Sequence, residues 1–407
     1  MNGKHFNFNR IIGGALAPIA VFLLFSSTAL SQVAVKGETV WTMTGEPISN
    51  GVVLINNGKI EAVGTAAQVR IPANYRVVSA KVVTPGLIDA HTVIGLNGYL
   101  NQPHDQMALD GGASIQPELR AIDAYNAEEK LIEWVRQFGV TTIHTGHQPS
   151  ALVSGQTMIA KTTGKNVDEA TIVPTSMIAV TIGNAANAGQ GRSPGTRAKQ
   201  ASMLRSELIK AQENAKKADP PTDLKSVMFI SVIKREIPLL VTAEMAQDIM
   251  TAIRIAKEFN IRIVLDGASD AHMLIDEIKA SGFPVILHAT MARAGGEREN
   301  LSMETASRLK AAGIPFALQS GYEGYVPKTR VVLFEAAVAA SNGLSQRDAL
   351  ASVTIDAAKI LGIDNRVGSL AVGKDADIAM YDGDPFEYTS HCIGTIIDGK
   401  VVSDVLR

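Results

Sequence analysis

The sequence predicts an α/β protein in which a parallel (β/α)8 barrel is accompanied by β structure from both ends of the chain. Strand–turn–strand patterns occur near each end, and strand-like and helix-like segments alternate between them. The alternation extends over about 270 residues, close to the length of a typical barrel. An open doubly wound sheet is the alternative, but no Gly-x-Gly-x-x-Gly motif follows the first strand.

The first 31 residues have the pattern of a secretory signal. Lys4 and Arg10 precede an uncharged apolar run over residues 11–25, which is shorter than the roughly 20 residues of a membrane span. Ala29 and Ser31 place small residues at the −3 and −1 positions of a cleavage site. We therefore expect cleavage after Ser31 and a periplasmic or secreted mature protein. An uncleaved anchor is the alternative.

Both ends of the remaining chain read as β structure. Residues 51–55 and 59–64 are apolar stretches around Asn57-Gly58, a pair of residues typical of tight hairpins. Residues 375–382 form a predicted strand, and residues 396–402 a second predicted hairpin.

The middle of the chain alternates between two periodicities. A helix predicted within residues 243–259 places Ala246, Ile249, Ile253 and Ala256 on one face. The other predicted helices cover residues 196–216, 303–312, 330–341 and 345–361, and the predicted strands cover residues 140–144, 237–242, 261–265, 284–288 and 314–318.

Charge and cysteine content exclude several classes of protein. Lys and Arg number 38 against 40 Asp and Glu, a net charge of −2, so no basic surplus favours nucleic-acid binding. The single cysteine, Cys392, cannot form a disulfide within the chain or supply a zinc-finger motif.

Two motifs at opposite ends of the alternating region resemble one family. Residues 83–92, which read Val-Thr-Pro-Gly-Leu-Ile-Asp-Ala-His-Thr, and residues 367–378 are similar to the corresponding segments of the amidohydrolase superfamily. Residues 139–142, 155–156 and 248–252 further resemble its imidazolonepropionase-like branch. The resemblance implies a barrel over residues 85–365 and a small β-sandwich domain assembled from residues 32–84 and 366–407.

The resemblance also implies a chemistry. Members hydrolyse C–N bonds, or sometimes C–O bonds, with one or two divalent metal ions, which activate a water molecule and polarise the carbonyl group. Their ligands are a His-x-His pair on strand 1, a Lys or Glu on strand 4, a His on each of strands 5 and 6, and an Asp on strand 8. If this chain is active by that route, zinc or another divalent metal is the expected cofactor.

This sequence departs from that ligand pattern at most positions. His91 keeps the first histidine of the pair, but Val93 replaces the second. Thr242, Gly267 and Gly321 occupy the ligand positions of strands 5, 6 and 8, while the strand-4 position cannot be assigned. Because Val and Gly side chains offer no lone pair, we expect a degenerate metal site.

Other polar residues near the predicted strand ends are candidates for a remodelled site. The candidate catalytic residues are His288 and Asp266, since strand ends face the active side of such barrels. His91 and Glu244 are the candidate metal ligands. Tyr322 and Glu323, just after strand 8, are the candidate substrate-binding residues. The alternative is that these are satisfied polar residues at strand ends.

Three functions are consistent with these observations. The first is a hydrolase of non-peptide C–N bonds, such as those of small or cyclic amides, with an altered metal site. The second is a catalytically inactive homologue that acts as a binding module or as the partner of an active relative. The third is a metal-independent enzyme that uses His288 or Asp266 as acid or base. The expected partners are a small-molecule substrate or ligand, a further copy of the chain or a related amidohydrolase, and neither nucleic acid nor a stable membrane span.

Overall fold

A computed structural model describes residues 32–189, 191–322 and 331–406. The predicted signal and Glu323 lie outside these ranges, and the signal stays a prediction. Within the ranges, no helix combines the length and apolar character that crossing a membrane requires.

The secondary structure alternates in the middle and is β at both ends. The strands are β1 Val33–Val40, β2 Ile48–Asn56, β3 Lys59–Thr65, β4 Arg76–Pro85, β5 Leu87–Thr92, β6 Val140–Thr145, β7 Val153–Gln156, β8 Met158–Lys161, β9 Thr171–Val173, β10 Ile178–Thr181, β11 Leu239–Ala243, β12 Ile263–Gly267, β13 Val285–Leu287, β14 Phe316–Leu318, β15 Ile378–Tyr381, β16 Cys392–Ile397 and β17 Lys400–Ser403. The α-helices are α1 Lys130–Arg136, α2 Val167–Ala170, α3 Arg197–Ala215, α4 Leu224–Ile233, α5 Ala246–Phe259, α6 Ile275–Ser281, α7 Thr305–Ala312, α8 Val332–Ser341, α9 Gln346–Ser352 and α10 Ile355–Ile360.

Strands from both ends of the chain share one seven-stranded sheet, in the order β17-β16-β15-β4-β1-β2-β3. The β2–β3 hairpin turns at Asn57 and Gly58, which have φ values of 50° and 77°. The β16–β17 hairpin turns at Asp398 and Gly399, with φ values of 49° and 74°. Both predicted hairpins are confirmed, with the positive φ values that two-residue hairpin turns require. The strands of this region pair as one sheet in the described residues, so the β-sandwich domain stays a prediction.

The middle of the chain is mixed α/β, but its strands pair as two sheets and not as one closed barrel. One has the order β14-β13-β12-β11-β10-β7 and the other β5-β6-β8-β9, with a single bridge from Thr92 to Gly321 between them. Strands β10 to β14 are parallel, as predicted. Strands β7 and β8 run antiparallel to β10 and β6, so the all-parallel expectation is wrong there. The physical reason is the short connection after β6, which contains no crossover helix to reverse the chain.

The amphipathic pattern predicts the position of α5 to within a few residues. Ile249, Ile253 and Ala256 are buried, and the helix ends at Asn260, whose φ of 53° is left-handed. The predicted helix over residues 345–361 is instead two helices, α9 and α10, because Thr354 adopts a non-helical conformation between them.

Lys161, at the end of β8, joins the middle of the chain to the seven-stranded sheet. Its ammonium group is 4% exposed and contacts Asp375 at 2.8 Å, Asp377 at 3.2 Å and also Asp398. Asp375 receives a second ion pair from Lys59. Although burial raises the pKa of Asp375, hydrogen bonds from both lysines overcome that effect and bring it to about 2. Asp375 is paired with Arg366 as well, at 2.9 Å, whereas Lys161 is the cation that reaches these carboxylates from the middle of the chain.

We predict that Lys161→Met destabilises the protein by about 3 kcal/mol or more, because three carboxylates lose their common cation. Urea unfolding at neutral pH measures the change. Lys36→Met, at an exposed position of β1, is the matched control and should stay within about 0.5 kcal/mol of the unmodified protein. Equal midpoints for the two variants would show that the contacts of Lys161 are not needed for stability.

Candidate functional site

The carboxyl ends of β5, β11, β12 and β14 meet at a buried polar cluster. Parallel pairing puts Thr242 of β11 beside Asp266 of β12, and the bridge from Thr92 to Gly321 brings the ends of β5 and β14 together. Strand ends at this side of a parallel sheet are where α/β enzymes carry their active residues. The cluster is thus in the place the sequence predicts for the site.

Asp266 is the centre of this cluster. Its carboxylate is fully buried and accepts hydrogen bonds from Thr242 Oγ1 at 2.6 Å and from Gln319 Nε2 at 3.0 Å. His91 Nδ1 lies 2.9 Å from the same oxygen that Gln319 contacts. Burial by itself raises the pKa of Asp266, but its interaction with His91 and the hydrogen bonds from Thr242 and Gln319 outweigh it and lower the pKa below its usual value. Asp266 is therefore held as a carboxylate.

This hydrogen bond orients His91. Because a carboxylate only accepts, Nδ1 must carry the proton, which leaves a lone pair on Nε2 in the neutral ring. Nε2 is buried and has no hydrogen-bond partner within the described ranges. The ring centroid lies 5.7 Å from that of Tyr322 and 6.0 Å from that of His144. The arrangement is a histidine–aspartate pair with one unused basic nitrogen.

Glu244 lies close to this pair through Tyr322. Tyr322 Oη donates to Glu244 Oε1 at 2.9 Å, and Ser269 donates to Oε2 through Oγ at 2.6 Å. Burial raises the pKa of Glu244 and so favours its protonated form. Gly267 leaves room for the Glu244 carboxylate, because a Cβ at position 267 would lie 2.9 Å from it.

Asp89 and Ser320 form a second buried pair beside the cluster. Ser320 donates to Asp89 through its backbone N–H at 3.0 Å and through its hydroxyl. Burial nevertheless raises the pKa of Asp89 to about 6, because the hydrogen bonds from Ser320 and the influence of His91 lower it by less than burial raises it. Ser320, which comes just after β14, is thus hydrogen-bonded to Asp89 of β5.

His288 stands apart from the histidine–aspartate pair. Its Nδ1 lies 2.9 Å from the carbonyl oxygen of Ala289, and within the described ranges no hydrogen bond or ion pair joins it to His91, Asp266 or Glu244. Burial lowers the pKa of His288 to about 4, so the ring is neutral near pH 7. The two candidate catalytic residues, His288 and Asp266, are therefore not hydrogen-bonded to each other in the described part of the chain, and Asp266 pairs with His91.

The residues present do not fit the metal cluster that the family implies. No group of three His, Cys, Asp or Glu side chains in the described parts of the chain could hold a metal ion. Val93 is a buried apolar residue, Thr242 donates its proton to Asp266, and Gly267 and Gly321 carry no side chain. Asp266 is already engaged by three donors, and His91 keeps only one nitrogen for a ligand. The predicted metal ligands His91 and Glu244 instead belong to a hydrogen-bonded network.

Sequence reasoning missed part of this network. No sequence pattern identified Gln319, since its hydrogen bond to Asp266 depends on β14 ending beside β12 and β5. Thr242 was identified only as a lost ligand, whereas it donates to Asp266. His144 has a structural role, because its two nitrogens contact Ala90 O and Thr157 Oγ1 at 2.7 Å each.

We predict a pH dependence of stability from Asp89. Its pKa is about 6 in the folded protein and 3.8 in the unfolded chain, so the group's contribution is complete below pH 3.8 and disappears as the pH rises through 6. Between pH 4 and 7 the loss is about 2–3 kcal/mol, and Asp89→Asn should remove it. Urea unfolding at several pH values measures this difference. Asp123→Asn, at an exposed carboxylate, should keep the slope of the unmodified protein, and an unchanged slope in Asp89→Asn would contradict the prediction.

Comparison with known proteins finds similarity to an amidohydrolase family model and to imidazolonepropionases. The model of a family described as "Amidohydrolase family" matches residues 309–403. An imidazolonepropionase of Fusobacterium nucleatum is 23% identical over 388 residues, which cover 85% of this chain and 88% of that protein. An imidazolonepropionase of Shewanella frigidimarina is 59% identical over 39 residues, 10% of each chain.

Solved structures agree over nearly the whole chain. A crystal structure of an amidohydrolase from Thermotoga maritima has a TM-score of 0.86 and 27% identity, covering 92% of this chain and all of that one. A prolidase complexed with N-methylphosphonate-L-proline has a TM-score of 0.60 and 17% identity, with coverage of 92% and 100%. The second likeness is one of fold alone.

Proposed function

We propose that this chain, which belongs to the amidohydrolase superfamily and to its imidazolonepropionase-like branch, hydrolyses the C–N bond of a small or cyclic amide with a histidine–aspartate pair. The observation that carries the proposal is the contact between buried Asp266 and His91 Nδ1, which leaves Nε2 without a partner in the described residues. The family's (β/α)8 barrel and two-part sandwich belong to the same proposal.

In this mechanism His91 is the general base. Nε2 takes a proton from water while the water oxygen bonds to the carbonyl carbon, and Asp266 stabilises the imidazolium that forms. Glu244, whose raised pKa favours the protonated form, then gives a proton to the departing nitrogen. Breakage of the C–N bond leaves a carboxylic acid and an amine. Tyr322 links the two groups, because its hydroxyl contacts Glu244 and its ring lies against His91.

We expect His91→Gln and Asp266→Asn each to lower kcat/KM by about a hundredfold or more, the usual contribution of a general base. The assay follows the ring-opened product of lactams and cyclic imides and the amine released from N-acyl amines by mass spectrometry, with circular dichroism to verify folding. His104→Gln, in an exposed loop, is the control and should keep full activity. Folded variants at both positions with undiminished turnover would rule out the base assigned here.

The same proposal predicts that activity does not need a bound metal. Elemental mass spectrometry of the mature chain, purified without chelator, should find well below one zinc, manganese or iron per chain. Dialysis against a chelator should leave kcat/KM unchanged. Stoichiometric metal that is lost in His91→Gln would instead restore the metallohydrolase mechanism.

A cavity favours a second candidate function, that of a non-catalytic binding module. Loops after β5, β6 and β10 line an open cleft of about 630 Å³, a volume usual for small-molecule sites. Asp110 and Arg192 line it with opposite charges. Thermal-shift screening would find a ligand whose binding is lost in Arg192→Gln while no amide is hydrolysed. A catalytically active relative is the expected partner in that case, and co-purification tests it.

The proposed location is the periplasm or the outside of the cell, following the predicted cleavage after Ser31. Mass spectrometry of the exported protein should give a chain that starts at Gln32. An intact Met1 in the membrane fraction would favour the uncleaved anchor.

A further inference from the structure

An open groove of about 590 Å³ lies between α8 and the loop that joins β15 to β16. Its walls include Phe138, Phe334, Phe386 and Tyr388, and it is here called the aromatic groove. Within the described ranges, none of the residues of the histidine–aspartate cluster lines it. Its volume falls within the range of about 300–1,000 Å³ that is usual for small-molecule sites. The aromatic groove therefore has room for a ligand away from the residues proposed for hydrolysis.

Two of its aromatic side chains are open to solvent. The Phe334 ring packs edge-on against Phe138, with the ring centroids 5.4 Å apart, and yet 39% of Phe334 is exposed. Tyr388 is fully exposed. Single exposed apolar residues are normal on a protein surface, but aromatic side chains that share one groove mark a binding surface.

The loop over residues 382–391 holds one wall of the groove in place. At its base the Asp382 N–H donates to His391 O at 3.1 Å, and the His391 N–H donates to Asp382 Oδ1 at 2.7 Å. Asp384 accepts hydrogen bonds from the Phe386 N–H at 3.0 Å and from Gln346 Nε2 at 2.6 Å, which joins the loop to the start of α9. Because these contacts already order the loop, a ligand does not have to order it on binding.

Glu387 determines which charge the groove accepts. Its side chain lines the groove, is exposed, and has no ion pair or hydrogen bond within the described parts of the chain. His391 is the only basic side chain among the described lining residues, and Asp382 balances it at 3.1 Å from Nδ1. An anion would be repelled, and a neutral ligand would cover the carboxylate without compensating its charge, which costs free energy. A cation is attracted both by the carboxylate and by the faces of the aromatic rings.

We propose that the aromatic groove binds a small organic cation, such as a quaternary alkylammonium compound, with its charge beside Glu387 and its alkyl groups against Phe334 and Tyr388. A quaternary ammonium group suits this lining, because it presents a diffuse charge and apolar methyl groups and needs no hydrogen-bond acceptor. The inference goes beyond the proposed hydrolase function and does not depend on it, since the two sites share no residue in the described ranges.

Choline and 3,3-dimethyl-1-butanol test the role of charge, because they have the same shape and differ in having a quaternary nitrogen or a carbon atom. Titration calorimetry or ligand-observed NMR measures the two affinities. We expect choline to bind about tenfold or more tightly than the alcohol, and less tightly as the salt concentration rises. Glu387→Gln and Tyr388→Leu should each weaken choline binding by about threefold or more. Both side chains are exposed, so we expect both variants to fold, and circular dichroism verifies this.

Glu277→Gln, at an exposed carboxylate of α6, is the matched control and should bind choline like the unmodified protein. Choline binding should also be unchanged in His91→Gln, so loss of hydrolysis and loss of this site are separate results. Equal affinity of the two probes would overturn the proposal, as would unchanged choline binding in Glu387→Gln. Self-association that Tyr388→Leu abolishes in sedimentation experiments, without choline binding, would overturn it by showing that a second copy covers the groove.

Discussion

The buried charge of Asp266 is the constraint on which the arrangement of the site depends. A carboxylate without solvent is costly unless hydrogen bonds and a nearby cation compensate it. Here the compensation comes from His91 on β5, Thr242 on β11 and Gln319 just after β14. Because these segments belong to both middle sheets, the charge of one residue links the strand ends around the site. In this chain hydrogen-bond donors therefore compensate the buried charge.

Two other buried carboxylates show how much the identity of the donor matters. Burial raises the pKa of Asp375, yet hydrogen bonds from Lys161 and Lys59 bring it to about 2. Burial also raises the pKa of Asp89, and the hydrogen bonds from Ser320 and the influence of His91 offset this only in part, so the pKa is about 6. The two lysines hold Asp375 as a carboxylate, whereas Asp89 takes a proton near neutral pH. Asp377 lies 3.2 Å from the same Lys161, yet burial raises its pKa to about 6, so one cation does not offset full burial. The contact with Lys161 is thus suited to docking two regions firmly.

Local chemistry made much of the fold predictable. The two hairpin turns were predictable because Asn57-Gly58 and Asp398-Gly399 tolerate positive φ values. The apolar face of α5 predicted the position of that helix to within a few residues. The antiparallel course of β7 and β8 was not predictable, because their short apolar runs carry no sign of strand direction. At the site, the family motif located His91, but its pairing with Asp266 joins residues 175 positions apart. Such a contact is determined by strand register, which the sequence pattern does not contain.

In the proposed function a histidine–aspartate pair takes the place of a metal, and this changes which part of the reaction is difficult. A metal both activates water and polarises the carbonyl, and a histidine base provides only the first of these effects. Since each 1.36 kcal/mol of lost transition-state stabilisation slows the reaction about tenfold, the carbonyl must gain its stabilisation elsewhere or the substrate must be more reactive. Under the proposed function, the proton that Glu244 gives to the departing nitrogen is one such contribution, because protonation makes the nitrogen a better leaving group.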